Sequence, residues 1–235
     1  MAKIKISVER LFEAGAHFGH QTSRSHPKAK DYVYGEQDGV LIFDLVKTKE
    51  LLKEALEFLA KVSKKEEGVL FLGTKRQIKD QVKQAAENCG GFFVNERWLG
   101  GTLTNFPQIK KSLDRLHELE DKKAKGDLKE YTKRERLLID REIKRLDDIF
   151  GGLRGMKSLP AVLVLVDSKR EKTAVLEAEK TGVPVVAIVD SNSDPNLVDY
   201  PIVMNDDSIE AVSYVLSLIS EVVKLSKEGK KVEIE

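Results

Sequence analysis

The segment AVLVLVDSKREKTAVLEAEKTGVPVVAIVD, residues 161–190, decides the fold class. It contains an apolar run at 161–167, a helix-length stretch at about 171–180 and a second apolar run at 183–190. Short apolar runs fit strands that are buried on both faces, and a helix between two of them carries the chain to a parallel neighbour. The segment therefore predicts a βαβ unit within a parallel sheet.

The same alternation extends in both directions from this segment. Strands are predicted at 39–45, 69–72, 92–94 and 201–204, and helices at 47–66, from about Lys75 to Asn88, and at 206–226 with Asp206 as the N-cap. We expect residues 1–38 to be polar and irregular, apart from a short helix capped by Ser7, and the tail from 227 to be a solvated end. Strands separated by helices predict an α/β fold with a parallel sheet and helices on both faces.

Residues 107–149 interrupt this pattern with a dense run of charge. Between residues 105 and 150 there are 13 basic and 11 acidic side chains, with a break at Gly126 and Asp127. The sparse apolar residues recur at near-heptad spacing: Ile109, Leu113, Leu116, Leu119, Leu137, Leu138, Ile143 and Leu146. We predict two antiparallel helices that form a protruding hairpin, inserted into an α/β domain made of residues 1–106 and 150–235.

The content of charged residues is high, but the positive and negative charges nearly balance. Charged residues make up 34% of the 235 residues, yet the net charge is only +1, which argues against binding nucleic acid by bulk charge alone. Locally, residues 1–35 carry six basic and three acidic groups, whereas 190–210 carry six acidic groups and no basic one. This asymmetry predicts a molecule that contacts RNA with one side and another component, such as protein, with the other.

Three features could indicate a ligand site, and each has a favoured or equally plausible alternative. FLGTKRQ (71–77) resembles a phosphate-binding helix start but lacks the P-loop spacing, and a basic surface that contacts an RNA backbone fits these residues better. His17 and His20 could bind a metal, although two packed, hydrogen-bonded imidazoles are the favoured interpretation. Asp167 and Asp190 follow strands directly and could hold a cation at the edge of the sheet, or build turns.

Neither a catalytic set nor a membrane span is apparent. The sequence contains no GxSxG, HExxH or CxxC motif, and no apolar run approaches the roughly 20 residues needed to cross a bilayer. Cys89 is the only cysteine, so no intramolecular disulfide can form, which fits a reducing compartment such as the cytosol. We therefore expect neither an enzyme nor a membrane protein.

The segment ERWLGGTLTNF (96–106) has the most unusual local composition. It holds the only tryptophan, Trp98, beside Arg97 and two glycines, with Thr102 and Asn105 as short polar groups. Glycine permits close backbone approach, and arginine binds phosphate. We interpret the segment both as a packed connection into the hairpin and as an RNA contact.

Three segments together resemble the bacterial family of small-subunit ribosomal protein S-two. They are GAHFGHQT (15–22) with the HPKAKDYVYGEQDGVLIFDLVKT that follows, ERWLGGTLTNF, and FGGLRGMKSLP with the segment that runs from VLVDSKREKT to NDDSIEAV. The match is collinear from about residue 7 to 225. Ser25, His26, the loop SNSDPN and Glu210 depart from the family pattern, and Glu210 would repel phosphate.

The resemblance implies a flavodoxin-like three-layer sandwich with a helical hairpin, in a structural protein of the small ribosomal subunit in the cytoplasm. It implies contacts with ribosomal RNA and neighbouring ribosomal proteins, including the mRNA-binding protein S-one where that protein exists, and no cofactor, small-molecule substrate or membrane partner. A doubly wound nucleotide-binding enzyme and a non-ribosomal protein adaptor are the alternatives. The residues predicted to contact RNA are Lys3, Lys5, His17, His20, Arg24, Lys28, Lys30, Lys75, Arg76, Arg97, Thr102, Asn105, Lys110 and Lys111.

Overall fold

The computed structural model describes residues 2–64, 68–126 and 131–235. Its strands are β1 Ala2–Ile4, β2 Phe18–Gln21, β3 Val33–Gln37, β4 Val40–Phe43, β5 Val69–Leu72, β6 Phe92–Val94, β7 Val162–Val166, β8 Val185–Val189, β9 Tyr200–Val203 and β10 Val232–Ile234. Its helices are α1 Val8–Glu13, α2 Leu45–Val62, α3 Lys79–Cys89, α4 Phe106–Lys125, α5 Lys133–Phe150, α6 Lys172–Thr181 and α7 Ile209–Lys227.

The predicted parallel sheet is confirmed, but the strand predicted at 39–45 lies outside it, as β4 of a small antiparallel sheet. Five strands pair in the order β6-β5-β7-β8-β9, and every pairing is parallel. Residues of β5, β7 and β8 are buried on both faces, as their continuous apolar sequences predicted. The chain crosses from one half of the sheet to the other between β5 and β7, where doubly wound folds usually bind a ligand.

Helices cover both faces of this sheet, giving three layers. On one face the helices α2, α3 and α7 pack on residues such as Phe71, Val164 and Ile188. On the other, α6 and the base of the hairpin pack on residues such as Leu70, Leu163 and Ala187. The arrangement is a flavodoxin-like sandwich, as the resemblance implied.

The hairpin is present, but its apolar seam differs from the predicted one. Ile109, Leu113, Leu116 and Leu119 of α4 are buried, as is Leu146 of α5. Leu137 and Leu138 are instead about half exposed, whereas Ile143 packs against the seam as predicted and Ile139 joins it. The register of a thin seam depends on the rotation of one helix against the other, which near-heptad spacing alone does not fix.

Both chain termini are more ordered than predicted. Within residues 1–38, β2 and β3 each pair with β4 in a small antiparallel sheet, and β1 pairs in parallel with β10 from the tail. The prediction of an irregular start and a solvated end was therefore wrong. Strands of only three to five residues leave little local periodicity to detect.

Two helix starts were also placed wrongly. Helix α7 is capped by Ser208, whose side chain accepts a hydrogen bond from the Ala211 amide, rather than by Asp206. Helix α3 begins at Lys79, four residues after the predicted Lys75. In both cases the residue that was predicted to begin the helix, Asp206 or Lys75, lies instead at the carboxyl edge of the sheet.

Candidate nucleic-acid interface

Lys75 lies at the carboxyl edge of the central sheet among three carboxylates. Its ammonium nitrogen is 2.6 Å from Asp206 Oδ1, 2.8 Å from Asp207 Oδ1 and 3.0 Å from Asp167 Oδ2. Asp167 sits directly after β7 with a left-handed φ of 70°, and its Oδ1 accepts from the Arg170 amide. Lys75 is thus a buried internal counter-ion at the point where folds of this class usually hold a ligand.

The electrostatics of this edge are governed by burial. Burial and the neighbouring Asp190 and Asp167 carboxylates raise the pKa of Asp206 to about 7, although Lys75 opposes the shift. Burial disfavours the charged form of Lys75, but the surrounding carboxylates outweigh it and raise the pKa of Lys75. Lys75 therefore remains charged, and its charge stabilises the folded protein by balancing the surrounding carboxylates.

The two histidines have separate partners. His20 Nδ1 lies 2.9 Å from Asp190 Oδ1, and this hydrogen bond raises the pKa of His20. The His17 ring stacks on Phe12, with ring centroids 4.4 Å apart, and also contacts Phe18. Across residues 2–64, 68–126 and 131–235, no group of three or more histidine, cysteine or acidic side chains is arranged to hold a metal ion.

The segment 97–105 forms a loop that buries its centre and exposes its ends. Trp98 and Thr102 are buried, and the Thr102 hydroxyl donates to the Leu99 carbonyl. Arg97 and Asn105 are exposed. The ends of the loop, rather than Thr102, are therefore available to a partner.

Arg97 opens onto a cavity of about 410 Å³ beside the crossover between β5 and β7. Arg170 lines the same cavity and donates from Nε to the Thr74 hydroxyl at 2.9 Å. The two acidic residues of the wall are already engaged, since Glu96 pairs with Lys79 and Glu171 accepts hydrogen bonds from Thr74. The cavity is consequently lined by Arg97, which has no ion pair in the described chain, and by Arg170, whose Nε lies 4.0 Å from Glu171 Oε1.

The cations predicted to contact RNA fall into two groups. Lys3 pairs with Glu233 and Glu235, Lys28 with Asp194, and Lys75 with the aspartates described above. In the described parts of the chain, the remaining seven are exposed and form no ion pair: Lys5, Arg24, Lys30, Arg76, Arg97, Lys110 and Lys111. Each of these seven can therefore bind an anion without first breaking an ion pair within the described residues.

Two residues that matter for this surface were not singled out from the sequence. Arg170 follows β7 in the segment DSKRE, and its place after a buried strand was the available signal. Glu177 is a buried carboxylate on α6 that accepts hydrogen bonds from the loop 97–105. No local pattern marks Glu177, because its partners lie more than 70 residues earlier in the chain.

The chain is similar to known proteins over most of its length. A family model described as ribosomal protein S2 matches residues 11–226. The small ribosomal subunit protein uS2 of Geotalea uraniireducens (strain Rf4) is 47% identical over 216 residues, which are 92% of this chain and 84% of that protein. The protein of the same name from Dictyoglomus thermophilum is 44% identical over 228 residues, 97% of this chain and 93% of its own length. None of the helices described here is long and apolar enough to span a membrane.

Proposed function

The chain belongs to the ribosomal protein S2 family, and from that membership we propose that it binds small-subunit ribosomal RNA through the phosphate backbone. It is a structural component of the small ribosomal subunit of the cytoplasmic ribosome and not an enzyme, so the alternative of a nucleotide-binding enzyme is set aside. The proposal concerns which of its residues contact the RNA.

The observation that carries the proposal is the division among the predicted cations. Seven are exposed and without an acidic partner in the described chain, and they include Arg24, Arg76 and Arg97. An exposed guanidinium with no partner can bind a phosphate without first breaking an ion pair. Such contacts fix the position and orientation of a protein on RNA without reading its sequence.

The loop 97–105 is the central element of this surface. Arg97 and Arg170 line one cavity, and Asn105, Lys110 and Lys111 follow where the loop enters α4. These residues are the phosphate contacts proposed for this part of the surface. Lys75 and Thr102 are left out of the proposed contacts because both side chains are buried and bonded within the protein.

Binding to neighbouring small-subunit proteins belongs to the same proposal. The contact with the mRNA-binding protein S-one, implied by the resemblance, remains a prediction that concerns this chain only where S-one is present. Co-sedimentation of purified S-one with particles that contain or lack this chain tests it, since equal retention by both particles would exclude a role for this chain.

Sucrose-gradient sedimentation with small subunits depleted of this protein tests the RNA contacts. We expect the wild-type chain to move with the particles, and Arg97→Ala to bind more weakly by roughly tenfold, the loss expected for one charge-assisted hydrogen bond. Lys3→Ala is the matched control because Lys3 is already paired with Glu233 and Glu235. A chain that stays at the top of the gradient would support the protein-adaptor alternative instead.

A further inference from the structure

The carboxylate of Glu177 is enclosed by the loop that carries Arg97. Its Oε1 accepts from the Gly101 amide at 2.8 Å and from the Trp98 indole at 3.1 Å. Its Oε2 accepts from the Leu103 amide at 3.0 Å, and from the amide and hydroxyl of Thr104 at 3.1 Å each. Five donors from one loop therefore converge on a single side chain.

The packing of helix α6 against the sheet fixes the position of Glu177. Its neighbours on α6, Ala174, Val175 and Ala178, are buried against the sheet, and Glu177 itself is only 7% exposed. Burial raises its pKa, but the amides of Gly101, Thr104 and Leu103 and the Trp98 indole outweigh this effect and lower it overall. The carboxylate is thus a fixed internal anion in a nest of backbone N–H groups.

Few hydrogen bonds within the loop itself fix its backbone. Gly101 adopts a φ of +93°, and the loop's own hydrogen bonds run from Thr102 to Leu99 and from Asn105 to Gly101. Without the Glu177 carboxylate, the amides of Gly101, Leu103 and Thr104 would converge on a site that holds no hydrogen-bond acceptor. Buried donors without an acceptor cost free energy. The Glu177 carboxylate therefore supplies the acceptor that this loop conformation requires, while Trp98 and Leu103 anchor the loop in the core.

We propose that Glu177 is the positioning residue for the RNA contact made by Arg97 and Asn105. It is too deeply buried to touch RNA, and the inference rests on the proposed RNA contact of the loop. Arg97 directly precedes the first donor, Trp98, and Asn105 directly follows the last, Thr104. Fixing the loop during folding removes the ordering cost that RNA binding would otherwise carry, which is how preorganisation raises affinity.

A double-mutant cycle on the full chain separates positioning from folding. The variants are Glu177→Gln, Arg97→Ala and their combination, titrated onto small subunits depleted of this protein. Glutamine keeps the shape of the side chain but turns N–H donors toward the loop's own donors. Glu179→Gln is the matched control, since Glu179 is exposed on the same helix.

We expect Glu177→Gln to weaken binding by roughly tenfold in the wild-type background but only about twofold when Arg97 is already alanine, because coupled residues are non-additive. Amide exchange at Gly101, Leu103 and Thr104 should rise in Glu177→Gln and stay unchanged in Glu179→Gln. An equal loss in both backgrounds would overturn the proposal and leave Glu177 as a folding anchor. Unchanged binding despite faster exchange would overturn it as well.

If the proposed RNA contacts do not exist, the same titration gives a different result. In that case Arg97→Ala binds like the wild type, and so do Arg24→Ala and Lys30→Ala in the same titration. If Glu177→Gln does not fold, Thr104→Val takes its place in the cycle, since it removes one donor and keeps the backbone donors. Additivity of Thr104→Val with Arg97→Ala would then count against positioning, and a smaller effect in the alanine background would support it.

Discussion

At the residue scale, Lys75 stabilises the carboxyl edge of the central sheet. It is the cation shared by Asp167, Asp206 and Asp207, and its side chain is about nine-tenths buried. Removing one partner of a buried ionic group leaves the remaining charges uncompensated, which costs more than the pair itself contributes. The role of Lys75 is therefore stability, while the neighbouring Arg76 remains exposed and available.

We expect Lys75→Met to lower the free energy of unfolding by about 3–5 kcal/mol at neutral pH. The loss should shrink at pH 5, because Asp206, whose pKa is raised to about 7, is then protonated and leaves less negative charge for Lys75 to balance. Urea denaturation at the two pH values measures both effects. Arg76→Met is the control and should change stability by no more than about 0.5 kcal/mol; equal losses for the two variants would contradict this account.

Asp206 supplies a second prediction at the same scale. Its pKa in the folded state is raised to about 7, above the value of about 3.9 expected in the unfolded chain. Its contribution to stability is therefore fully present below pH 4 and is lost as the pH rises to about 7. Asp206→Asn should remove this decline, so stability measured across pH 4–7 should have a different slope in the two proteins; identical slopes would argue against it.

At the element scale, the return from the hairpin to the sheet depends on a close backbone approach. A Cβ at Gly152 would lie 2.2 Å from the Phe93 carbonyl oxygen of β6, and a backbone atom cannot move aside easily. Only glycine allows the segment that follows α5 to pass this edge strand.

Gly152→Ala should therefore destabilise the protein by about 1–3 kcal/mol or more, as overpacking does. Gly100→Ala is the control, because a Cβ there meets nothing within 4 Å and Gly100 has no positive φ. Thermal denaturation of both variants gives the comparison. A Gly152→Ala variant that melts at the same temperature as the wild type would show that this close approach does not require glycine.

The hairpin itself is predicted to be separable from the sheet. Its buried seam is narrow, and ion pairs between its helices, such as Lys123 with Asp140 at 2.8 Å, are exposed and contribute at most about 1 kcal/mol each. Replacing residues 110–146 by a Gly/Ser linker should leave a cooperative thermal transition and weaken association with small subunits. A variant that fails to fold would make the hairpin part of the core, and one that binds normally would make it dispensable for placement.

At the scale of the whole molecule, a net charge of +1 makes RNA binding depend on where the unpaired cations lie. Counterion release relates the salt dependence of binding to the number of phosphates neutralised. Arg24 and Lys30 form no ion pair in the described chain, whereas Lys28 lies 2.8 Å from Asp194. The N-terminal segment should therefore bind RNA mainly through the first two.

Replacing Arg24 and Lys30 by glutamine should lower the slope of log K against log salt by about 0.7–0.9 per lost contact. Replacing Lys28 alone should lower it by less. Incorporation into depleted small subunits, titrated over a salt series, measures the slopes. An unchanged slope for the double variant would exclude this segment from the phosphate contacts.

The sequence by itself determined the central sheet and the existence of the hairpin. Strands such as VLVLV at 162–166 are apolar at every position, which only burial on both faces accommodates, and helical periodicity separates them. The three family segments, among them ERWLGGTLTNF, were equally readable because each is a local run of residues. Each of these features depends only on residues that are close together in the sequence.

Only the tertiary structure decided which polar residues face solvent and which are internal. Lys75 and Arg76 are adjacent and equally basic in sequence, yet one is buried among aspartates from β7 and the β9–α7 connection, and the other is exposed. Glu177 and Glu179 differ in the same way, because only Glu177 meets the loop that precedes α4. The partners of these residues lie about 70 to 130 residues away in the chain, and no local pattern encodes a contact that exists only after the sheet has brought distant loops to one edge.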